Sequence, residues 1–80
     1  MIVLNTRSAQ FGTVDFWRSA RRAYRCRSWQ ESMRRFALQH GKAVAMLGDD
    51  SARIVERDES RANGVSVKTV PAGAIRWVHA

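Results

Sequence analysis

The chain has 80 residues, with 14 Lys plus Arg against 7 Asp plus Glu, a formal net charge of +7 and a hydrophobic fraction of 45%. That length supports one domain over residues 1–80, which would bury only roughly 60% of its unfolded surface, while the apolar content excludes intrinsic disorder. One cysteine, Cys26, excludes an internal disulfide framework and a multi-cysteine zinc site, and no apolar run reaches the roughly 20 residues that span a bilayer.

The short apolar run Met1 to Leu4 has no signal-peptide core or lipidation motif, so a soluble, cytoplasmic protein that folds around one core without a cofactor is expected. Ile2-Val3-Leu4 predicts a strand, and its continuous apolarity predicts burial on both faces. Ser8 to Gly12 reads as a loop, with Phe11 as a plug and Gly12 as the breaker.

Two periods compete over residues 13 to 25. As a strand both faces are mixed; as a helix, Phe16, Trp17, Ala20, Ala23 and Tyr24 gather on one side and Arg18, Arg21, Arg22 and Arg25 on the other. Thr13 suits the N-cap and Asp15 the first turn, where the helix dipole favours negative charge. Helix is the better reading, and a strand over Ala23 to Arg27 is the alternative. Ser28-Trp29-Gln30-Glu31 then matches a capping box, in which Ser28 takes one free amide and Glu31 reaches back to another. The helix it opens should run from Trp29 to His40, with Trp29, Met33, Phe36, Ala37 and His40 as its core stripe, Glu31 and Arg35 as an i,i+4 pair, Leu38 on the polar side and Gly41 just beyond.

Ala43 to Leu47 and Ala52 to Arg57 flank Gly48-Asp49-Asp50-Ser51 as a hairpin. Asn63-Gly64 signals a further turn before the alternating strand Val65 to Val70, and Pro71-Ala72-Gly73 separates that strand from a last one built on Ile75, Trp77 and His79. The expected fold class is α+β: a short N-terminal strand, two helices, then an antiparallel meander of up to four strands with one face on the helices. Trp29, Met33, Phe36, Val44, Met46, Ile54, Val67, Ile75 and Trp77 should make the core.

The chemistry concentrates in Phe16 to Arg35, where seven arginines mingle with four aromatics. Residues 1 to 41 carry a net charge of +6 and the remainder +1, an asymmetry suited to a face for nucleic acid, an anionic membrane surface or an acidic protein. Arg18, Arg21, Arg22 and Arg25 would repel one another at i,i+3 and i,i+4, and phosphates or carboxylates would relieve that strain through the paired donors of each guanidinium. These four, with Arg34 nearby, are the candidate partner-binding residues; the plain alternative is a solvated basic face. Trp17, Tyr24 and Trp29 could stack bases but fit a core stripe better. No helix-turn-helix spacing, zinc-finger pattern or aromatic RNA-binding signature supports sequence-specific readout.

No catalytic residues are assigned. Cys26 lies between two arginines, which favour its thiolate, yet a base would have to reach it from His40 or His79. Asp49-Asp50 and Asp58-Glu59 lack the ligand spacing of a calcium loop and read as turn carboxylates, so no metal is expected. In size, single domain and lack of enzymatic motifs the chain resembles small phage-encoded inhibitors of bacterial defence, the anti-CRISPR proteins among them. The likeness is one of profile, since these inhibitors share no motif, and the chain's positive charge departs from their acidic, DNA-mimicking members. The resemblance implies a non-enzymatic inhibitor that blocks an acidic patch or nucleic-acid path of a CRISPR effector complex. The partner expected is thus an acidic protein, a nucleoprotein complex or nucleic acid.

Overall fold

Along the middle of the chain small and β-branched residues alternate between two sides: Ala43, Ala45, Val55 and Val65 belong to one buried cluster, and Val44, Ala52 and Ile54 to another. A strand with both faces buried needs a layer on each side. The computed structural model, which describes residues 1–79, supplies both layers and has an α+β fold. Strands β1 (Ile2–Asn5) and β2 (Gln10–Thr13) are followed by helices α1 (Val14–Ala23) and α2 (Trp29–His40). Strands β3 (Lys42–Met46), β4 (Ser51–Arg57), β5 (Val65–Pro71) and β6 (Ile75–Val78) complete the order, with a single 3-10 turn at Ala72–Ala74.

The main sheet has the order β2-β3-β4-β5, with β3, β4 and β5 antiparallel as the hairpin signals require and β2 parallel to β3. Asp58 N–H bonds to the Gly64 carbonyl at 2.8 Å and Gly64 sits at φ 81, the left-handed backbone that the Asn-Gly signal anticipated. The expected fourth meander strand departs from that plan. β6 leaves the sheet and pairs in parallel with β1, Ile2 opposite Ile75 and Leu4 opposite Trp77, forming a separate two-stranded layer.

The single expected core is therefore two. On one face of the main sheet α1 and α2 bury Trp17, Met33 and Ala37 against Ala43, Ala45, Val55 and Val65. On the other, Leu4 and Ala9 close over Val44, Ala52 and Ile54, with Ile75 and Trp77 beside them. β1 is buried on one side only, since Val3 is 59% exposed. The segment read as the loop Ser8 to Gly12 holds most of β2, because parallel pairing with β3 and the Phe16 ring lying over Gly12 outweigh glycine's low strand propensity. A methyl group at Gly12 would overlap that ring. Phe11 is no plug: it stays half exposed on the opposite face, edge-on to Trp77 at 5.1 Å.

Other expectations shift for similar reasons. Val67, expected in the core, is 46% exposed because β5 is the sheet's edge. Leu38, expected on the polar side, packs against the helical core and touches Gly64. His40 is exposed and stacks obliquely on Phe36 rather than filling the core.

Candidate functional site: an arginine groove between the two helices

Local hydrogen bonds set up the groove. Thr13 Oγ1 accepts from the Phe16 amide at 3.3 Å to start α1, and Trp17, fully buried, donates its Nε1–H to the Val44 carbonyl at 3.0 Å. That bond and a Trp17–Phe36 edge contact at 5.8 Å fix the rotation of α1. Phe16 and Ala23, expected on the apolar side, are left exposed. Ser32, the buried polar residue of α2, places its hydroxyl 3.1 Å from the Trp17 carbonyl and 2.6 Å from the Trp29 carbonyl, joining the helices at a point where a larger side chain would separate them.

The turn between the helices is unusual in one residue. α1 ends with the Cys26 N–H on the Arg21 carbonyl at 2.9 Å and the Arg25 N–H on the Arg22 carbonyl at 3.2 Å, the paired bonds of a Schellman motif. Its left-handed position, normally glycine, is Arg25 at φ 55. Three residues later Ser28 caps α2, its Oγ accepting from the Glu31 amide at 3.2 Å, while Glu31 Oε2 accepts from the Arg27 amide at 3.0 Å. The Ser28 half of the capping box holds as expected, while Glu31 reaches back to the amide of Arg27, one residue before the cap. The ion pair of Glu31 is with Arg34 at 3.9 Å, not with Arg35, because the carboxylate is turned toward the helix start.

This reversal brings Arg27 back beside α1. Arg18, Arg21, Arg22 and Arg27 line one groove of about 750 Å³, with Trp29 at the start of α2 and the hydroxyls of Ser19 and Ser28. The lining has a single acid, Asp15, paired with Arg18 at 3.5 Å, so four arginines against one aspartate leave three positive charges. Both partners of that pair are mostly exposed, and such pairs contribute little. Among the described residues Arg21, Arg22 and Arg27 have no acidic group within ion-pair distance. Trp29 is half buried: it packs against the helical core and also borders the groove.

Of the five arginines singled out from the sequence, then, Arg18, Arg21 and Arg22 converge. Arg25 does not line the groove, and Arg34 lines a separate hollow of about 200 Å³ with Arg53, Val55 and Val67. Arg53 Nε is enclosed there without a hydrogen-bond partner. Arg27 was missed because a helical projection of α1 cannot include a residue beyond its end; its place directly before the Ser28 cap was the available signal.

The other reactive groups are scattered. Cys26 Sγ lies 3.7 Å from the Tyr24 carbonyl, His79 Nδ1 lies 3.4 Å from Thr6 Oγ1, and His40 stacks on Phe36. The hydroxyl of Ser51, two residues on, holds the Asp49 carboxyl below its ordinary pKa, and Ser60 does the same for Asp58. Those shifts move both groups away from the neutral range where a general acid or base works best. No group of three or more His, Cys, Asp or Glu stands close enough to hold a metal among the described residues, where no helix is long and apolar enough to cross a membrane. Comparison with protein-family models, curated proteins and solved structures finds nothing that the chain matches.

Proposed function

We propose that this is a non-enzymatic binding protein that docks a polyanionic partner in the groove between α1 and α2. The observation that carries the reading is the convergence of Arg18, Arg21, Arg22 and Arg27 with only Asp15 to offset them. Like charges held side by side destabilise the free protein, and a row of phosphates or carboxylates turns that repulsion into attraction. Arginine suits the task because its planar fork binds either group through two parallel hydrogen bonds. The resemblance to small inhibitors of bacterial defence offers a setting for such docking. There the groove would occupy an acidic surface or the nucleic-acid path of a CRISPR effector complex in the cytoplasm and act by blocking it.

The test compares wild type with a variant carrying Arg18→Glu, Arg21→Glu, Arg22→Glu and Arg27→Glu. Heparin, poly-glutamate and oligonucleotides serve as probes at about 50 mM and 200 mM salt, and a purified CRISPR effector complex as the larger target. Wild type should bind at least one of the polyanions with strong salt dependence, and the variant should lose it. Equal binding by both proteins, or none by wild type at low salt, overturns the reading.

A further inference from the structure

Polyanions differ in what lies between their charges, and the groove contains more than charge. Resting on the groove reading above, we infer that its ligand is single-stranded nucleic acid, with phosphates on Arg18, Arg21, Arg22 and Arg27 and one base against the exposed part of Trp29.

Three observations favour this over an acidic protein surface or a duplex. First, Arg18, Arg21 and Arg22 of α1 meet Arg27 of the following turn around one recess instead of forming a row along α1 alone, and α1 is anchored to the sheet by the buried Trp17. A flexible single strand can enter such a recess. Second, Trp29 is the aromatic residue of the lining and is itself held on both sides, packed against the helical core and fixed at the first position of α2 by the Ser28 cap. A rigid aromatic beside a cationic track is the arrangement that binds single strands without sequence preference, since every base has a stacking face. A protein carboxylate would gain nothing from it. Third, the groove volume of about 750 Å³ falls in the range of small-molecule sites, a size that suits a short stretch of single strand. The inferred binding is therefore short, weakly selective in sequence and dominated by phosphates.

The experiment measures fluorescence anisotropy of labelled single-stranded and double-stranded oligonucleotides of about 10 nucleotides, with poly-glutamate as the competing acidic polypeptide. The variants are Trp29→Phe, which keeps an aromatic face, and Trp29→Leu, which keeps apolar packing without one; circular dichroism confirms that both are folded. Single strands should bind more tightly than the duplex, and log K should fall with log salt at a slope of about −2 to −3 for three or four neutralised phosphates. Trp29→Phe should stay near wild type, and Trp29→Leu should bind roughly tenfold or more weakly, as expected for one lost base stack.

Equal binding by Trp29→Phe and Trp29→Leu overturns the stacking, and a duplex bound as well as the single strand overturns the choice of ligand. Poly-glutamate bound while oligonucleotides are not overturns the nucleic-acid inference but leaves the arginine groove standing as a protein-docking site. Absence of binding to every polyanion removes both readings.

Discussion

The main sheet is covered on one side by α1 and α2 and on the other by the β1–β6 pair, and the two layers are held by different means. The helical layer is fixed by bonds between near neighbours, Thr13 to Phe16, Ser28 to Glu31 and Glu31 to Arg27, before Trp17 and Ser32 tie it together. The β1–β6 layer has only four residues per strand, and its pairing joins segments from opposite ends of the described chain. Closing so long a loop costs entropy that must be offset by the apolar contacts of Leu4, Ile75 and Trp77. One layer carries its charge on the outside, around a groove; the other leaves Val3 exposed. The charge thus sits on the layer framed by local bonds, and the layer framed by a long-range pairing carries none of the groove.

Large-to-small changes in each core should break the comparison open. Trp17→Ala removes a fully buried indole and its bond to Val44, at a cost of about 3–5 kcal/mol. For a domain of this size that should lower the midpoint of thermal unfolding, followed by circular dichroism, by more than about 10 °C. Leu4→Ala, at a side chain only 1% exposed, should cost about 2–4 kcal/mol. If the layers differ as described, native-state hydrogen exchange of Leu4→Ala will lose protection first in β1 and β6, with the amides of α2 and β4 still slow. Simultaneous loss everywhere would mean that the molecule opens as one unit and that the distinction has no energetic content.

The same contrast explains how far the sequence could be read. Both helix starts, the β3–β4 hairpin and the Asn63-Gly64 turn close within a few residues, so their signals survive in a linear string and the α+β class followed from them. The parallel β1–β6 pairing has no such signature. Its register depends on Leu4 and Trp77 meeting the same sheet face, which no window of the sequence contains. Gly12 was read as a breaker because its place in a strand comes from parallel pairing opposite Ala45, far along the chain. At the candidate site, Arg18, Arg21 and Arg22 were legible from helical spacing, whereas Arg25 was assigned to the same face by extending a helix that had already turned.

Arg25 sharpens the comparison from the helical side. A left-handed conformation costs a residue with a Cβ about 1–2 kcal/mol that glycine does not incur. Arg25→Gly should therefore raise stability by about 1 kcal/mol, seen as an increase of a few degrees in Tm. Because Arg25 does not line the groove, polyanion binding should change far less than in Arg22→Gln. A variant less stable than wild type, or one that loses binding as fully as Arg22→Gln, would show that the arginine side chain at the turn contributes to the fold or to the ligand.

The smallest effect concerns the sheet that the layers share. Hydrogen bonds from Ser51 and Ser60 hold Asp49 and Asp58 below the ordinary carboxylate range, with Arg61 adding to the shift of Asp58. A folded-state pKa below the unfolded value, about 3.9 for aspartate, means a contribution present above that pH and lost as pH falls through the depressed value. Ser60→Ala should move the Asp58 carboxyl titration, followed by NMR, back toward its ordinary position and flatten the acid limb of the stability curve; an unmoved titration would sink the assigned cause. Asp49 lies in the β3–β4 turn and Asp58 in the β4–β5 turn, so both belong to the central sheet and to neither covering layer. Acid should thus lower hydrogen-exchange protection on the two faces alike, and selective loss in the β1–β6 pair would show that this layer answers to pH through groups of its own.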